Sequence, residues 1–269
     1  MTTVRELLLT GADGIDKLDK QVWLGKITGF SRAQLISRDD YCLNPQQLQE
    51  YSAGIARLNS GEPLAYLLET KEFYSREFKV TPATLIPRPE TELLVDTVLE
   101  RVKHGGHVLD LGTGSGCIAI SLKLERPDLA VTAVDFSPAA LVVAGENAKR
   151  LTAEVQFKLS DWFAVFTGDD KFEIIVSNPP YIEKTDHHLV DLSFEPLTAL
   201  TDFSDGLECI RQIVGGAPQH LAAGGWLLVE HGYNQGLAAR EIFAQVGLQN
   251  ISTITDYAGI ERITLGQKL

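Results

Sequence analysis

The tetrapeptide Asn178-Pro179-Pro180-Tyr181 has the residue types needed to hold a planar NH2 group in front of an electrophile. It ends an apolar run over residues 172–176 that indicates a buried parallel strand. Neither proline has an N–H, so carbonyls beside them are free for a ligand, and Pro179 pushes Asn178 towards an extended backbone. The Asn178 side-chain carbonyl, a backbone carbonyl and the Tyr181 ring would form one stiff wall. A proline-rich loop without chemistry is the alternative.

A glycine-rich loop follows an earlier predicted strand over residues 107–111. The loop consists of Gly112, Thr113, Gly114, Ser115 and Gly116. The glycines let the backbone approach a ligand closely, and the helix predicted from Cys117 offers unpaired N–H groups. A dinucleotide-binding motif would need its third glycine at Cys117, so we reject that interpretation. Asp110 adds a carboxylate on the strand just before the loop.

The strand predicted over residues 130–135 ends in Asp135. A carboxylate at this position can accept hydrogen bonds from both hydroxyls of a ribose. The alternative is a cap for the next helix, but Ser137 is better suited to capping.

Another strand, predicted over residues 155–159, is followed by Asp161, Trp162 and Phe163. An acid beside two aromatic rings fits an adenine site, with the acid near the exocyclic amine and the rings stacking or making edge contacts. The alternative is that both rings belong to the core. Ligands bind at the carboxyl ends of strands in open α/β sheets, so we expect all these strand ends to share one site.

Strands alternate with helices after residue 85, which predicts a doubly wound sheet with helices on both faces. Three later strands are predicted over residues 226–230, 251–255 and 262–265. Residues 1–70 show helical spacing, as in Leu18, Val22 and Ile27, and a second helix opens at Asn44. We therefore expect a helical docking domain at 1–70, a linker with a β-hairpin at 71–84 and a catalytic domain at 85–269.

The composition favours an intracellular enzyme over a nucleic-acid-binding protein. The chain of 269 residues has a net charge of −12, and acidic residues outnumber basic ones on both sides of Thr70. The three cysteines are scattered and show no metal-ligand spacing. The start lacks a signal-peptide pattern and no apolar run approaches a membrane span. We expect a cytoplasmic protein that binds neither membranes nor, directly, nucleic acid.

The order of these motifs resembles that of class I S-adenosylmethionine-dependent methyltransferases. Within them it resembles the PrmC/HemK family of bacterial protein-(glutamine-N5) methyltransferases, which modify peptide chain release factors. The likeness also rests on Pro-Arg-Pro-Glu-Thr at 87–91, Phe-Glu-Pro-Leu-Thr-Ala-Leu at 194–200 and Glu-His-Gly at 230–232. It covers the chain from Glu62 onward, and more loosely the part before it. The tetrapeptide alone is less specific, because enzymes that methylate adenine or guanine amines share it.

This resemblance implies a seven-stranded Rossmann-like sheet whose last two strands are antiparallel, preceded by a small all-α domain and a β-hairpin linker. It implies S-adenosylmethionine as cofactor, no metal, and as substrate the glutamine in the Gly-Gly-Gln loop of class I release factors. The expected cofactor-binding residues are loop 112–116, Asp110, Asp135, Asp161, Trp162, Phe163 and Asn178. The expected catalytic residues are Asn178, Pro179 and Tyr181. The same three residues, Pro180, Phe73 and Arg88 are expected to bind the substrate.

The hypothesis for the reaction is a direct in-line displacement. The glutamine NH2 would be held by the Asn178 side-chain oxygen and the Pro179 carbonyl, with Tyr181 packed over the glutamine side chain. No general base is required, because the nitrogen becomes acidic once it is methylated.

Several alternatives stay open from the sequence. The substrate could instead be a nucleobase amine or a ribosomal-protein glutamine, or the chain could bind the cofactor without activity. Phe73 could cover the substrate or fill the linker core, and Arg88 could organise the domain interface or the active-site edge. His187 and His188 could suggest a metal site, but a solvated loop is the better interpretation. His231 is expected to be a satisfied structural residue.

Overall fold

The chain divides into two units, Met1–Thr70 and Lys71–Leu269, and the described residues of the first form five helices. The computed structural model describes residues 2–9 and 14–269. The helices of this unit are α1 Val4–Leu9, α2 Lys17–Thr28, α3 Arg32–Ser37, α4 Pro45–Asn59 and α5 Leu64–Leu68. In the described part of the chain no helix combines the length and apolar character that crossing a membrane requires.

Helix α4 begins where the sequence predicts it, because Asn44 and Gln47 form a reciprocal capping box. Helix α2 is also confirmed, but its buried face differs from the one that the apolar spacing suggested. Leu18 and Val22 are 48% and 39% exposed, whereas Trp23 is buried. The reason is a close approach by α4: a Cβ on Gly54 would lie 2.2 Å from Trp23 Nε1.

The predicted hairpin is formed by β1 Thr70–Phe73 and β2 Arg76–Lys79, and all but its first residue belongs to the second unit. The two turn residues, Tyr74 and Ser75, have φ values of 51° and 57°, as a tight two-residue hairpin turn requires. Phe73 is only 1% exposed and packs edge-to-face on Phe78 with 6.0 Å between ring centroids. The hairpin is therefore fastened to the core by two phenylalanine rings.

A seven-stranded sheet forms the centre of this unit, which confirms the predicted fold class. Its strands are β3 His107–Leu111, β4 Ala130–Asp135, β5 Gln156–Leu159, β6 Phe172–Ser177, β7 Leu221–Glu230, β8 Gln249–Thr255 and β9 Glu261–Gln267. The order is β5-β4-β3-β6-β7-β9-β8. Strand β9 runs antiparallel to both of its neighbours, as expected for the last pair, and the other ladders are parallel.

Helices cover both faces of the sheet. They are α6 Glu92–Arg101, α7 Cys117–Glu125, α8 Pro138–Leu151, α9 Glu208–His220 and α10 Gly236–Gln245, with single 3₁₀ turns at Pro89–Thr91, His187–Leu189 and Leu197–Ala199. One apolar core takes residues from α6 and α7, and the other takes residues from α9 and α10.

The strand order reverses at β3, which pairs with β4 on one side and β6 on the other. Leu111, at the end of β3, lies opposite both Val134 and Ser177 in the ladders. Ser177 donates its hydroxyl to the Leu111 carbonyl at 2.7 Å, which fixes the two strand ends to each other. A crevice outside the carboxyl ends of strands is expected at such a reversal.

Candidate active site

A cavity of about 560 Å3 lies at this reversal, within Lys71–Leu269. The predicted site residues that line it are loop residues 112–115, Arg88, Asp135, Asp161, Trp162, Asn178 and Pro180. The structure does not bring Phe73, Asp110, Gly116, Phe163, Pro179 and Tyr181 to its wall. The four strand ends singled out in the sequence therefore do meet, although some of their side chains point elsewhere.

The glycine loop passes over the end of β3 in a left-handed backbone conformation, with φ of 72° at Gly112 and 56° at Gly114. A Cβ on Gly114 would meet no atom within 4 Å. Gly116 has a different role, because a Cβ there would lie 2.8 Å from Ile120 Cδ1. Its missing side chain lets the loop pack against the following helix, away from the cavity.

Asp110 lies beneath the loop, fully buried. Its Oδ2 accepts a hydrogen bond from the Thr113 hydroxyl at 2.7 Å. Burial raises the pKa of Asp110 to about 7, and the Thr113 hydrogen bond opposes that rise. Asp110 thus supports the glycine loop from below, and its direct contact with a cofactor stays a prediction.

Asp135 lies at the end of β4 and accepts two backbone hydrogen bonds, from Gly114 at 2.9 Å and from Ser137 at 2.9 Å. Burial raises its pKa. Ser137, as expected, caps α8 by accepting from Ala140 at 3.2 Å. Each carboxylate oxygen of Asp135 has a second lone pair, so it can also accept from a ligand hydroxyl.

Trp162 and Phe163 diverge in space although they are adjacent in sequence. The Trp162 ring covers the glycine loop, 3.5 Å from where a Cβ of Gly112 would be. Phe163 lies under α9, stacked on His220 with 4.8 Å between centroids and an interplanar angle of 5°. Phe163 therefore packs against the core, which was the alternative to an adenine site, and no contact in the structure supports a place for its ring beside adenine. Asp161 is exposed at the cavity wall.

Asn178 is oriented by a residue that the sequence reasoning missed. Its Nδ2 donates to Thr91 Oγ1 at 3.0 Å. Thr91 is 2% exposed and lines the cavity. Because Nδ2 is engaged, Oδ1 of Asn178 is left as the acceptor for a ligand. Thr91 is the last residue of the family-like segment 87–91, and that position was the only signal for it.

Tyr181 is held by a hydrogen bond within the protein. Its hydroxyl donates to Glu230 Oε1 at 3.4 Å, and burial raises the pKa of Tyr181. Burial also raises the pKa of Glu230 to about 7, while side-chain hydrogen bonds from Thr91 and Tyr181 oppose that rise. The hydrogen bond to Glu230 fixes the hydroxyl end of Tyr181, and the packing of its ring over a substrate stays a prediction. Phe73 is a linker-core residue.

Arg88 lines the cavity and forms an ion pair with buried Glu195. The second oxygen of Glu195 accepts from the Ile86 N–H at 2.9 Å. One carboxylate thus ties the segment before α6 to the loop after Pro180. This supports the interpretation that Arg88 organises the edge of the site.

Two phenylalanines that the motifs did not reveal also line the cavity. Phe136 is 53% exposed and Phe203 is 52% exposed. Phe136 directly follows the strand-end acid Asp135, which could have indicated it. Nothing in the sequence near Phe203 marks it as a site residue.

The histidines belong to other parts of the fold. His187 and His188 are exposed, as a solvated loop predicts, and their ligand atoms lie within 4.8 Å of one another and of Asp186. His188 Nδ1 contacts Asp186 Oδ1 at 2.7 Å. His231 is fully buried, and its Nδ1 donates to the Gly232 carbonyl at 2.9 Å. It is a satisfied structural residue.

A Rossmann-like sheet with a glycine loop, a strand-end acid, and Asn178 and Pro180 of the Asn-Pro-Pro-Tyr segment at one cavity defines a methyltransferase of the class I type. In agreement, the family described as "Methyltransferase small domain" matches residues 89–194, and "PrmC N-terminal domain" matches residues 4–68. A solved methyltransferase from Pyrococcus furiosus has a TM-score of 0.56 at 17% identity, covering 81% of this chain and 98% of that one. This last likeness shows the fold alone.

Curated relatives extend over nearly the whole chain. A release factor glutamine methyltransferase of Neisseria gonorrhoeae is 47% identical, covering 96% of this chain and 95% of that protein. One of Escherichia coli is 42% identical, covering 93% and 91%. The chain belongs to the family of release factor glutamine methyltransferases.

Proposed function

We propose that this protein transfers a methyl group from S-adenosylmethionine to the side-chain nitrogen of the glutamine in the Gly-Gly-Gln loop of class I release factors, and so modulates translation termination. The observation that carries the proposal is the orientation of Asn178. With Nδ2 bound to buried Thr91, Oδ1 is left as the acceptor, and Asn178 lines the cavity together with Pro180. A carboxamide NH2 is a group that such an acceptor selects.

The residues of the cavity fit the cofactor. Gly112 and Gly114 expose backbone without side chains, and Ser115 Oγ has no hydrogen-bond partner of normal geometry among the described residues. Asp135 and Asp161 supply acceptors for ribose hydroxyls and for an exocyclic amine. When bound, S-adenosylmethionine would supply a methyl group activated by a positively charged sulfur.

An amide nitrogen is a poor nucleophile, because its lone pair is delocalised into the carbonyl group. The protein must therefore supply orientation and must stabilise the positive charge that forms on nitrogen. We infer that Asn178 Oδ1 accepts one N–H group, that the Pro179 carbonyl, in the peptide bond to cavity-lining Pro180, accepts the other, and that together they aim the nitrogen at the methyl carbon. Orientation of this kind can contribute roughly 7–11 kcal/mol, and fixed carbonyl dipoles stabilise the charge. After the carbon–sulfur bond breaks, the methylated nitrogen releases its proton to water.

The test is incubation of the full chain with radiolabelled S-adenosylmethionine and either purified release factor or RNA. Label should enter the release factor and should be lost when its Gly-Gly-Gln glutamine is replaced by alanine. Label in RNA in place of protein would contradict the proposal. In single-turnover assays Asn178→Ala should lower the rate by about 10²–10³-fold, comparable to removal of one oxyanion-hole donor. The exposed Asn234→Ala is the matched control and should retain the wild-type rate.

We infer the remaining assignments from the same reaction. The helical domain at 1–70 would dock the release factor, residues 71–84 would link it, and residues 85–269 would carry out catalysis in the cytoplasm. The acidic net charge of −12 argues against a grip on nucleic acid. No metal is needed to activate a sulfonium leaving group, so treatment with a chelator should leave the rate unchanged.

A further inference from the structure

Phe203 combines an unfavourable backbone with an exposed ring at the cavity wall. Its φ of 59° lies in the left-handed region, which a residue with a side chain adopts only at a cost. Its ring is nevertheless 52% exposed, so the core gains little from it. A conformation that is costly and leaves an aromatic ring in the open cavity points to a binding role.

The conformation is held by the carboxylate of Asp202. Asp202 Oδ1 accepts from the backbone N–H of Ser204 at 2.8 Å and of Gly206 at 3.0 Å. Asp202 Oδ2 accepts from the N–H of Glu208, the first residue of α9, at 2.7 Å. Three hydrogen bonds on one side chain make the turn around Phe203 rigid.

This turn is joined to the strand end that carries Trp162. Gln212 of α9 donates to Glu208 Oε1 at 3.1 Å, and its Oε1 accepts from Trp162 Nε1 at 2.8 Å. Cys209 lines the same part of the cavity and feels the negative charges of both Asp202 and Asp161, which after burial raise its pKa. The turn that carries Phe203 is therefore connected through Glu208 and Gln212 to Trp162, the neighbour of Asp161.

We propose that Phe203 is a specificity residue that stacks on the purine ring of the cofactor at the Asp161 end of the cavity. The proposal rests on the proposed function, since it assumes an adenosyl ligand. An aromatic face stacks on a flat base, and a rigid turn limits the entropy lost on binding. Phe203 supplies the ring contact that Phe163, stacked on His220 under α9, cannot provide.

The experiment is calorimetric titration of the full chain with S-adenosylhomocysteine, combined with thermal unfolding. Phe203→Gly removes the ring and also relieves the positive φ. We expect its Kd to rise about tenfold, within the range found for loss of one base-stacking ring. Its melting temperature should equal that of the wild type or exceed it by up to about 3 °C. Phe203→Tyr, which keeps the aromatic face, should bind within about twofold of the wild type.

Thr152→Gly is the matched control. Thr152 also has a positive φ, 56°, but it ends α8 at the opposite end from Ser137. The Thr152→Gly variant should be more stable than the wild type and should bind S-adenosylhomocysteine with an unchanged Kd. This result would separate relief of backbone strain from loss of the Phe203 ring. Equal Kd values for Phe203→Gly and wild type would overturn the inference and leave the proposed function intact. A change only in KM for the release factor would also overturn it. No binding of S-adenosylhomocysteine to the wild type would refute both.

Discussion

Replacement of Thr91 with valine removes the hydroxyl that accepts from Asn178 and also hydrogen-bonds to Glu230, and it leaves the shape of the side chain almost unchanged. Asn178 Nδ2 then loses the partner that it has at 3.0 Å. Thr91 is 2% exposed, so water cannot easily take the place of the hydroxyl. The amide must either keep its orientation with an unpaired donor or rotate and turn Oδ1 away from the substrate.

The size of the effect follows from these two choices. A net hydrogen bond contributes about 0.5–1.5 kcal/mol, and an unpaired buried donor costs about 1–3 kcal/mol. The amide adopts whichever of the two arrangements costs less free energy, so the smaller cost determines the loss of rate. We therefore expect a loss of about 1.4 kcal/mol in transition-state binding, which is a tenfold lower kcat. Thr91→Ser, which keeps the hydroxyl, should stay within about threefold of the wild-type kcat.

The assay is single-turnover methyl transfer to release factor, measured in a double-mutant cycle with Asn178→Ala. If Thr91 acts only by orienting Asn178, then Thr91→Val should cause no further loss once Asn178 is alanine. Full additivity of the two losses would refute the reasoning, because it would mean that Thr91 acts independently. A Thr91→Val rate equal to the wild type would refute it as well.

Three further outcomes can be measured by urea unfolding. Burial raises the pKa of Glu230 from 4.5 to about 7, so the native state keeps a proton that the unfolded state loses, and stability falls as pH rises through this window. In Glu230→Gln the free energy of unfolding should fall by about 2–3 kcal/mol less between pH 5 and pH 8 than it does in the wild type. An unchanged fall would contradict the burial of Glu230. Arg88→Ala leaves the buried Glu195 carboxylate unpaired and should lower the free energy of unfolding by about 3 kcal/mol. This loss should exceed that of Glu195→Gln. A larger loss for Glu195→Gln would rule out the unpaired carboxylate as the cause. Gly116 has a φ of 82°, and a Cβ there would lie 2.8 Å from an α7 side chain. Gly116→Ala should therefore lower the free energy of unfolding by about 1–3 kcal/mol. Gly145→Ala, in the open part of α8, should instead stabilise the protein by about 0.5–1 kcal/mol.

Those parts of the fold that depend on local chemistry could be predicted from the sequence. The buried strands were visible as apolar runs, and the start of α4 was visible because the Asn44 cap and the following proline act within one turn. The position of Asn178 at a strand end near the glycine loop followed from the rule that parallel strands bring their carboxyl ends together.

The direction of individual side chains could not be predicted. Trp162 has a φ of 43°, which turns the chain so that Phe163 enters the core while Trp162 covers the loop. Tyr181 turns towards Glu230, a partner 49 residues later in the chain. Phe203 reaches the cavity only because Asp202 holds the turn before α9. These outcomes depend on distant contacts, which no short motif encodes.

Strand β9 lies between β7 and β8, although β8 precedes it in the chain. During synthesis, β8 therefore emerges with no partner in the sheet, and one edge of β7 stays open until β9 has been made. A chain that lacks β9 would expose the edge of β7 that β9 covers and would leave β8 without a partner in the sheet. Chains cut short before residue 261 should for that reason associate through these edges, although the strands β3 to β6 are complete in them.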